Sequence, residues 1–124
     1  SIMKEDNVLR DKSYAFALRI VKTSRYLADD KHEYTLSKQL LRSGTSIGAN
    51  VEEALGGQSE KDFASKLAIA YKEARETHYW IRLLRDSGYL TMTQADSLLT
   101  DTDELLRILG SILKTLKSRN KPAS

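Results

Sequence analysis

Few residues in this chain have side chains suited to covalent or metal chemistry. There are no cysteines, which excludes thiolate nucleophiles, thiolate zinc sites, iron–sulfur ligation and a disulfide framework together. Gly44-Thr45-Ser46-Ile47-Gly48 has the G-x-S-x-G form of a nucleophile elbow. That motif needs a strand before it, a strained turn and a histidine brought in by an α/β sheet. Here the flanking pattern is helical, so no catalytic residue is assigned. Ser43, Gly44, Gly48 and Ala49 read instead as small residues that let a neighbouring helix come close. Each interior glycine costs a helix about 1 kcal/mol, so packing must offset that cost. Glu52, Glu53, Glu73 and Glu76 suggest a di-metal carboxylate site, which in a bundle expects Glu three residues before His. Asp29 holds that place for His32 and Arg75 for His78. No metal and no cofactor are therefore expected, and both histidines read as surface residues. A salt-bridge network of these carboxylates with Arg42, Lys66 and Lys72, fixing helix or subunit register, is the expected role.

The remaining chemistry is ionic. Twenty Lys and Arg stand against 17 Asp and Glu, giving a net charge of +3 and a pI near 9.1. The total permits a polyanion partner, and placement decides whether one is served. No acid follows Glu104, whereas Arg107, Lys114, Lys117, Arg119 and Lys121 do. Near the N-terminus Arg10, Lys12, Arg19, Lys22 and Arg25 are interrupted by one acid, Asp11. If the last segment ends beside the start of the first, Arg10, Lys12 and the C-terminal lysines share one end of the molecule. The expected nucleic-acid-binding set is Arg10, Lys12, Arg19, Lys22, Arg25, Lys114, Lys117, Arg119 and Lys121. With no sequence-reading motif, contacts to RNA or DNA would be to phosphates and largely non-specific. The alternative is a protein-interaction scaffold with no nucleic-acid role, its charged helix faces simply solvated.

These residues must be positioned by helices. The 124 residues suit one domain spanning 1–124, with a short basic tail from about 117. No apolar run approaches the roughly 18 residues of a membrane span, and Ser1–Asp6 lacks a signal-peptide core. A soluble, cytoplasmic, non-enzymatic protein is expected. Pro122 is the only proline, so nothing upstream breaks a helix. Loop-like clusters at Asp29–Tyr34, Leu55–Gln58 and Ser87–Leu90 cut the chain into four segments. Thr35, Ser59 with Asp62, and Thr93 with Asp96 are the expected helix starts, and Gly88 is an expected helix end.

A helical seam can be read in every segment, and in the third and fourth it alternates steps of four and three without a miss. The seams read Tyr14, Ala17, Leu18, Val21, Ala28 in the first and Leu36, Leu40, Ser43, Ile47, Val51, Ala54 in the second. The third gives Phe63, Leu67, Ala70, Ala74, Thr77, Ile81, Leu84, and the fourth Ala95, Leu98, Thr102, Leu105, Leu109, Ile112, Leu116. Four such seams with short loops predict an all-α, antiparallel up-down-up-down four-helix bundle. Second seams exist at Phe16, Ile20, Thr23, Leu27 and at Ile69, Glu73, Glu76, Trp80, Leu83, and Leu99, Leu106 and Leu113 widen the fourth stripe. Either the inward faces are broad or these seams meet other subunits. Because monomers rarely expose large apolar patches, Phe16, Ile20, Leu27, Ile69, Glu73, Glu76, Trp80 and Leu83 are the expected oligomer interface.

The stretch Gln39-Leu-Leu-Arg-Ser-Gly-Thr-Ser-Ile-Gly-Ala-Asn-Val-Glu-Glu-Ala54 closely resembles the signature of a four-helix-bundle family known from open reading frames inside the intervening sequences of bacterial 23S ribosomal RNA genes. The likeness continues through Ser59, Asp62-Phe63, Lys66-Leu67, Ile69-Ala70, Lys72-Glu73-Ala74, Glu76-Thr77 and Tyr79-Trp80, and Lys12–Ala17 is similar to the family's opening. The resemblance implies four antiparallel helices and homopentameric assembly. It carries no catalytic residues. A distantly similar branch holds the accessory variability determinant of diversity-generating retroelements, a basic pentamer that works with a reverse transcriptase and nucleic acid. The expected partners are thus further copies of the chain, RNA or DNA, and a protein such as a reverse transcriptase, with no membrane.

Overall fold

The structure, a computed structural model, describes residues 2–120, with the side chains of 7–120. Lys121 of the expected basic set lies outside the described residues. Four helices account for nearly all of it: α1 (Ile2–Asp29), α2 (Thr35–Leu55), α3 (Glu60–Asp86) and α4 (Met92–Arg119). At 1.5 Å per residue the 28-residue α1 and α4 are each about 42 Å long.

The helix ends show which side chains satisfy the orphan backbone groups. Ser59 accepts from the Asp62 N–H at 3.0 Å, as the sequence suggests. At α4 the start is two residues earlier than expected. Thr91, not Thr93, is the cap, and it forms a reciprocal box with Gln94. A neutral amide serves at the third position as well as a carboxylate. At α2 the capping oxygen belongs to Glu33, which accepts from the N–H groups of Leu36 and Ser37; Thr35 itself is already helical. Gly88 has φ +86°, the left-handed geometry that lets the Tyr89 N–H return to the Leu84 carbonyl at 2.9 Å. The equivalent turn after α1 places His32 at φ 55°.

Contacts between neighbouring helices run in opposite sequence directions. Along α1 and α2, Ser13 lies by Gly48, Ile20 by Gly44 and the Ser24 hydroxyl by the Ser37 carbonyl. Along α3 and α4, Glu60 meets Arg119, His78 meets Asp103 and Arg85 meets Asp96. Each helix packs on its sequence neighbours, and α1 closes against α4. One core joins all four.

The inward seams of α2, α3 and α4 are those the periodicity picks out: Leu40, Ile47, Val51, Leu67, Ala74, Ile81, Leu98, Leu105, Leu109 and Ile112 are all buried. Leu99, Leu106 and Leu113 pack half-buried against the core. On α1 the two seams are exchanged. Leu9, Ser13, Phe16, Ile20, Ser24 and Leu27 face the core, while Tyr14 is 63% and Leu18 52% exposed. The reason lies across the interface. A Cβ on Gly44 would stand 2.7 Å from Ile20 Cγ1, and one on Gly48 would stand 3.3 Å from the Ser13 carbonyl oxygen. The two glycines cut a notch in α2, and Ile20 fills it. Dispersion and burial gained there offset the helix-propensity cost. Phe16, Ile20 and Leu27 are therefore core residues of the single chain and unavailable to another subunit. Ala49, expected in the notch, is exposed.

Candidate assembly and nucleic-acid surfaces

The G-x-S-x-G segment lies inside α2. Its Ser46 hydroxyl donates to the Arg42 carbonyl one turn back, at 2.7 Å, a hydrogen bond internal to the helix. His78 is likewise engaged. Its Nδ1 accepts from Arg82 Nε at 3.1 Å and its Nε2 lies 3.2 Å from Asp103. His32 stands in the loop after α1, its Nδ1 3.2 Å from the Tyr34 hydroxyl. Among the described residues no three His, Asp or Glu side chains gather as metal ligands.

The carboxylates on α3 form the expected network in part. Arg42 from α2 reaches Glu73 at 3.3 Å and also binds Glu76. The Trp80 indole N–H donates to the same Glu76 at 3.2 Å. The Glu73 side chain is only 9% exposed, so its charge depends on the guanidinium that caps it. Lys66 reaches Glu53 at 3.6 Å instead, and Lys72 is exposed without an ion-pair partner among the described residues. Beneath this network the Ser43 and Thr77 hydroxyls lie 2.9 Å apart, fully buried, and tie α2 to α3. Glu73 and Glu76 thus fix the register of two helices of one chain. Beside them Ile69, Trp80 and Leu83 remain half-buried along the outer edge of α3.

The expected basic set divides. Lys12 is paired with Glu104 at 2.9 Å, and Arg19 with Asp101 at 2.6 Å and with the Ser97 hydroxyl at 2.8 Å. These two cations stitch α1 to α4, which neutralises them as phosphate ligands. Arg10 leans on Asp11 at 3.5 Å, and Arg119 on Glu60 at 3.8 Å. Lys22, Arg25, Lys114 and Lys117 are exposed, with no ion-pair partner among the described residues. The set does not form one patch. With Lys12 level with Glu104, Lys114 lies about 15 Å further along α4, and Arg25 lies about 20 Å the other way along α1. Lys22 and Arg19 instead line a groove toward the α3–α4 turn, with Tyr26, Leu90 and Leu98. Three further exposed cations on α3, Lys61, Arg75 and Arg82, fall outside the expected set. Their spacing with Lys72 is visible in the sequence, but the apolar seams lie on the other side of that helix and give these cations no structural role.

Exposed apolar surface is concentrated around α2. On its α1 side Tyr14, Leu18 and Leu41 are exposed, with Val21 half-buried between them. A shallow, mainly apolar groove runs there past Ser13, Ala17, Thr45, Gly48 and Ala49. No helix among the described residues is long and apolar enough to cross a membrane.

An all-α bundle of four long helices, pinned by small residues in its second helix and a buried carboxylate–arginine link between the second and third, is the class that sequence and structure define. The chain belongs to the 23S rRNA-intervening sequence protein family, whose model matches residues 5–111. It is also similar to a crystal structure of a protein of unknown function from the S23 ribosomal protein family of Bacteroides thetaiotaomicron, at 50% identity and a TM-score of 0.87. That match covers 89% of this chain and 98% of the other. Comparison with curated proteins gives no match.

Proposed function

We propose that this protein is a non-enzymatic homo-oligomeric module that associates with RNA or DNA through phosphate contacts and works in the cytoplasm. One observation carries the nucleic-acid reading: the cations divide into pairs that hold helices together and a surplus turned to solvent. Lys12, Arg19 and Arg42 are used internally, whereas Lys22, Arg25, Lys114 and Lys117 are exposed and carry no ion pair among the described residues. Repeated around an assembly, such a surplus multiplies the number of phosphates neutralised together, and affinity rises with that number. Assembly is supported by the exposed Tyr14, Leu18 and Leu41, continuous with the half-buried Val21, and by the half-buried Ile69, Trp80 and Leu83 on the far side of α2. A subunit number of five is the proposal, taken from the resemblance in sequence alone.

Titration of labelled RNA with the full chain, followed by anisotropy at low and high salt, tests this. Binding that falls steeply with salt and varies little with base sequence is expected. Absence of binding at low salt, with assembly intact, favours the protein-scaffold alternative, for which the same apolar faces offer the docking surface.

A further inference from the structure

The outer side of α3 gathers cations, although Lys66 lies toward α2 on Glu53. At about 100° per residue, Lys61, Lys72, Arg75, Tyr79 and Arg82 fall within an arc of roughly 80° on the side toward α4. Asp62, Glu73 and Glu76 fall on the side toward α2, where Arg42 holds two of them. All four cations of the basic side are exposed. Tyr79, 49% exposed, sits among them with the Arg82 guanidinium 5.9 Å from its ring centre.

The neighbouring helix extends this face. The α3–α4 ladder pairs Glu60 with Arg119, Tyr71 with Gly110, His78 with Asp103 and Arg85 with Asp96. By that register Arg107 is level with Arg75, and Lys114 and Lys117 lie beyond Lys72 toward the start of α3. All three α4 residues are exposed and unpaired among the described residues. The carboxylates in and beside the face are each engaged: Glu60 with Arg119, Asp86, which falls within the arc at the end of α3, and Asp96 with Arg85, and Asp103 with His78. Between the two rows the Tyr71 ring lies against Gly110, 3.5 Å from where a Cβ would stand.

We infer that the outer face of α3 and α4 is a single-strand nucleic-acid track, on which Lys72, Arg75, Arg82, Arg107, Lys114 and Lys117 take phosphates and Tyr79 stacks a base. This rests on the nucleic-acid reading above and moves its site away from α1. A row of cations flanking an exposed aromatic ring is what a flexible single strand needs, because its unpaired bases offer a stacking face that a duplex hides. An acidic polypeptide would use the cations but has no use for the ring. Tyr79 borders Trp80, the two rings edge-on at 5.1 Å, so it is assembly through Tyr14, Leu18 and Leu41 on the α1 side of α2 that leaves the track open.

The test uses the full chain and anisotropy with a labelled 20-nucleotide RNA, the same sequence in DNA, and the duplex, at two salt concentrations. Circular dichroism confirms that each variant folds. The variant Lys72→Gln/Arg75→Gln/Lys114→Gln should weaken single-strand binding at least tenfold at low salt and lower the salt slope by about 2, at roughly 0.7 for each phosphate no longer neutralised. Tyr79→Ala should weaken single strands about fivefold or more with the slope and duplex binding unchanged. Arg10→Gln/Lys22→Gln/Arg25→Gln should weaken binding less than the α3–α4 variant does. If the α1 variant abolishes binding and the α3–α4 variant does not, the track is overturned while nucleic-acid binding stands. A silent Tyr79→Ala with the duplex bound more tightly overturns the single-strand assignment, as does polyglutamate competing as well as the oligonucleotide. No binding by the wild-type chain removes both the track and the function it rests on.

Discussion

Arg42 ties two helices together through two carboxylates. It crosses from α2 to α3, where one of the two is nearly buried. Removing one partner leaves the other desolvated and alone, which costs more than the pair contributes net. Arg42→Ala should therefore destabilise the fold by about 2 kcal/mol in urea unfolding, less than the full cost of a buried pair because Arg42 itself is half-exposed. Glu73→Gln, which removes the charge but keeps the shape, should cost less; equal stability of the Arg42→Ala variant and wild type would show that water already serves Glu73. At the end of the same helix, Arg85 donates to Asp86 at 2.9 Å and holds the Asp86 carboxyl below its ordinary value. A lowered folded pKa contributes stability above the unfolded value, lost as pH falls through the folded one. The Asp86 side chain is 66% exposed, so water screens the pair. Melting should drop only slightly with acid through this group, and Asp86→Asn should leave neutral-pH melting close to wild type. That α3's glutamates needed a cation was legible from their place between Ile69 and Trp80. That Arg42, and not Lys72, would supply most of it was not, because it depends on which face of α3 meets α2.

At the scale of elements, glycine placement decides the packing. The periodicity of α1 allows two seams two residues apart, and the wrong one reads as well as the right one because Ser13 and Ser24 interrupt the true inward face. What selects between them is the notch of Gly44 and Gly48 on α2, a property of a second helix that no reading of α1 alone contains. Gly44→Ala should be destabilising by about 1–3 kcal/mol although alanine is the better helix former, because its methyl would meet the buried Ile20. Combining it with Ile20→Val should recover part of the loss; a stabilised Gly44→Ala chain would mean the notch has slack. His32 presents the opposite case. It holds a left-handed φ of 55° at the end of α1, where Gly88 serves after α3. His32→Gly should raise stability by about 0.5–1 kcal/mol through relief of that conformation, read as a higher melting temperature. Helix number and boundaries were legible within a few residues throughout. The caps of α2 and α4 are displaced because Glu33 and Gln94 supply the oxygens that the sequence pattern assigns to Thr35 and Asp96.

At the scale of the whole molecule, surface character is segregated around the bundle: apolar patches flank α2, and unpaired cations line the outside of α3 and α4. The basic bias of the chain was legible, but its location was not. Clusters such as Lys12 with Arg19 look free in sequence and are spent on Glu104 and Asp101, since ion pairing is set by the neighbour across the groove. Leu18→Glu, placed in the exposed patch, should reduce the mass in light scattering while leaving helix content unchanged; no change in mass would move the subunit contact to Ile69, Trp80 and Leu83. Sedimentation velocity of the full chain with labelled RNA, at low and high salt, tests the central claim most directly. The expected result is a species of several times 14.0 kDa that carries RNA at low salt and, at high salt, keeps its mass while releasing the RNA. A boundary at 14.0 kDa with the RNA sedimenting alone at both salts would contradict it.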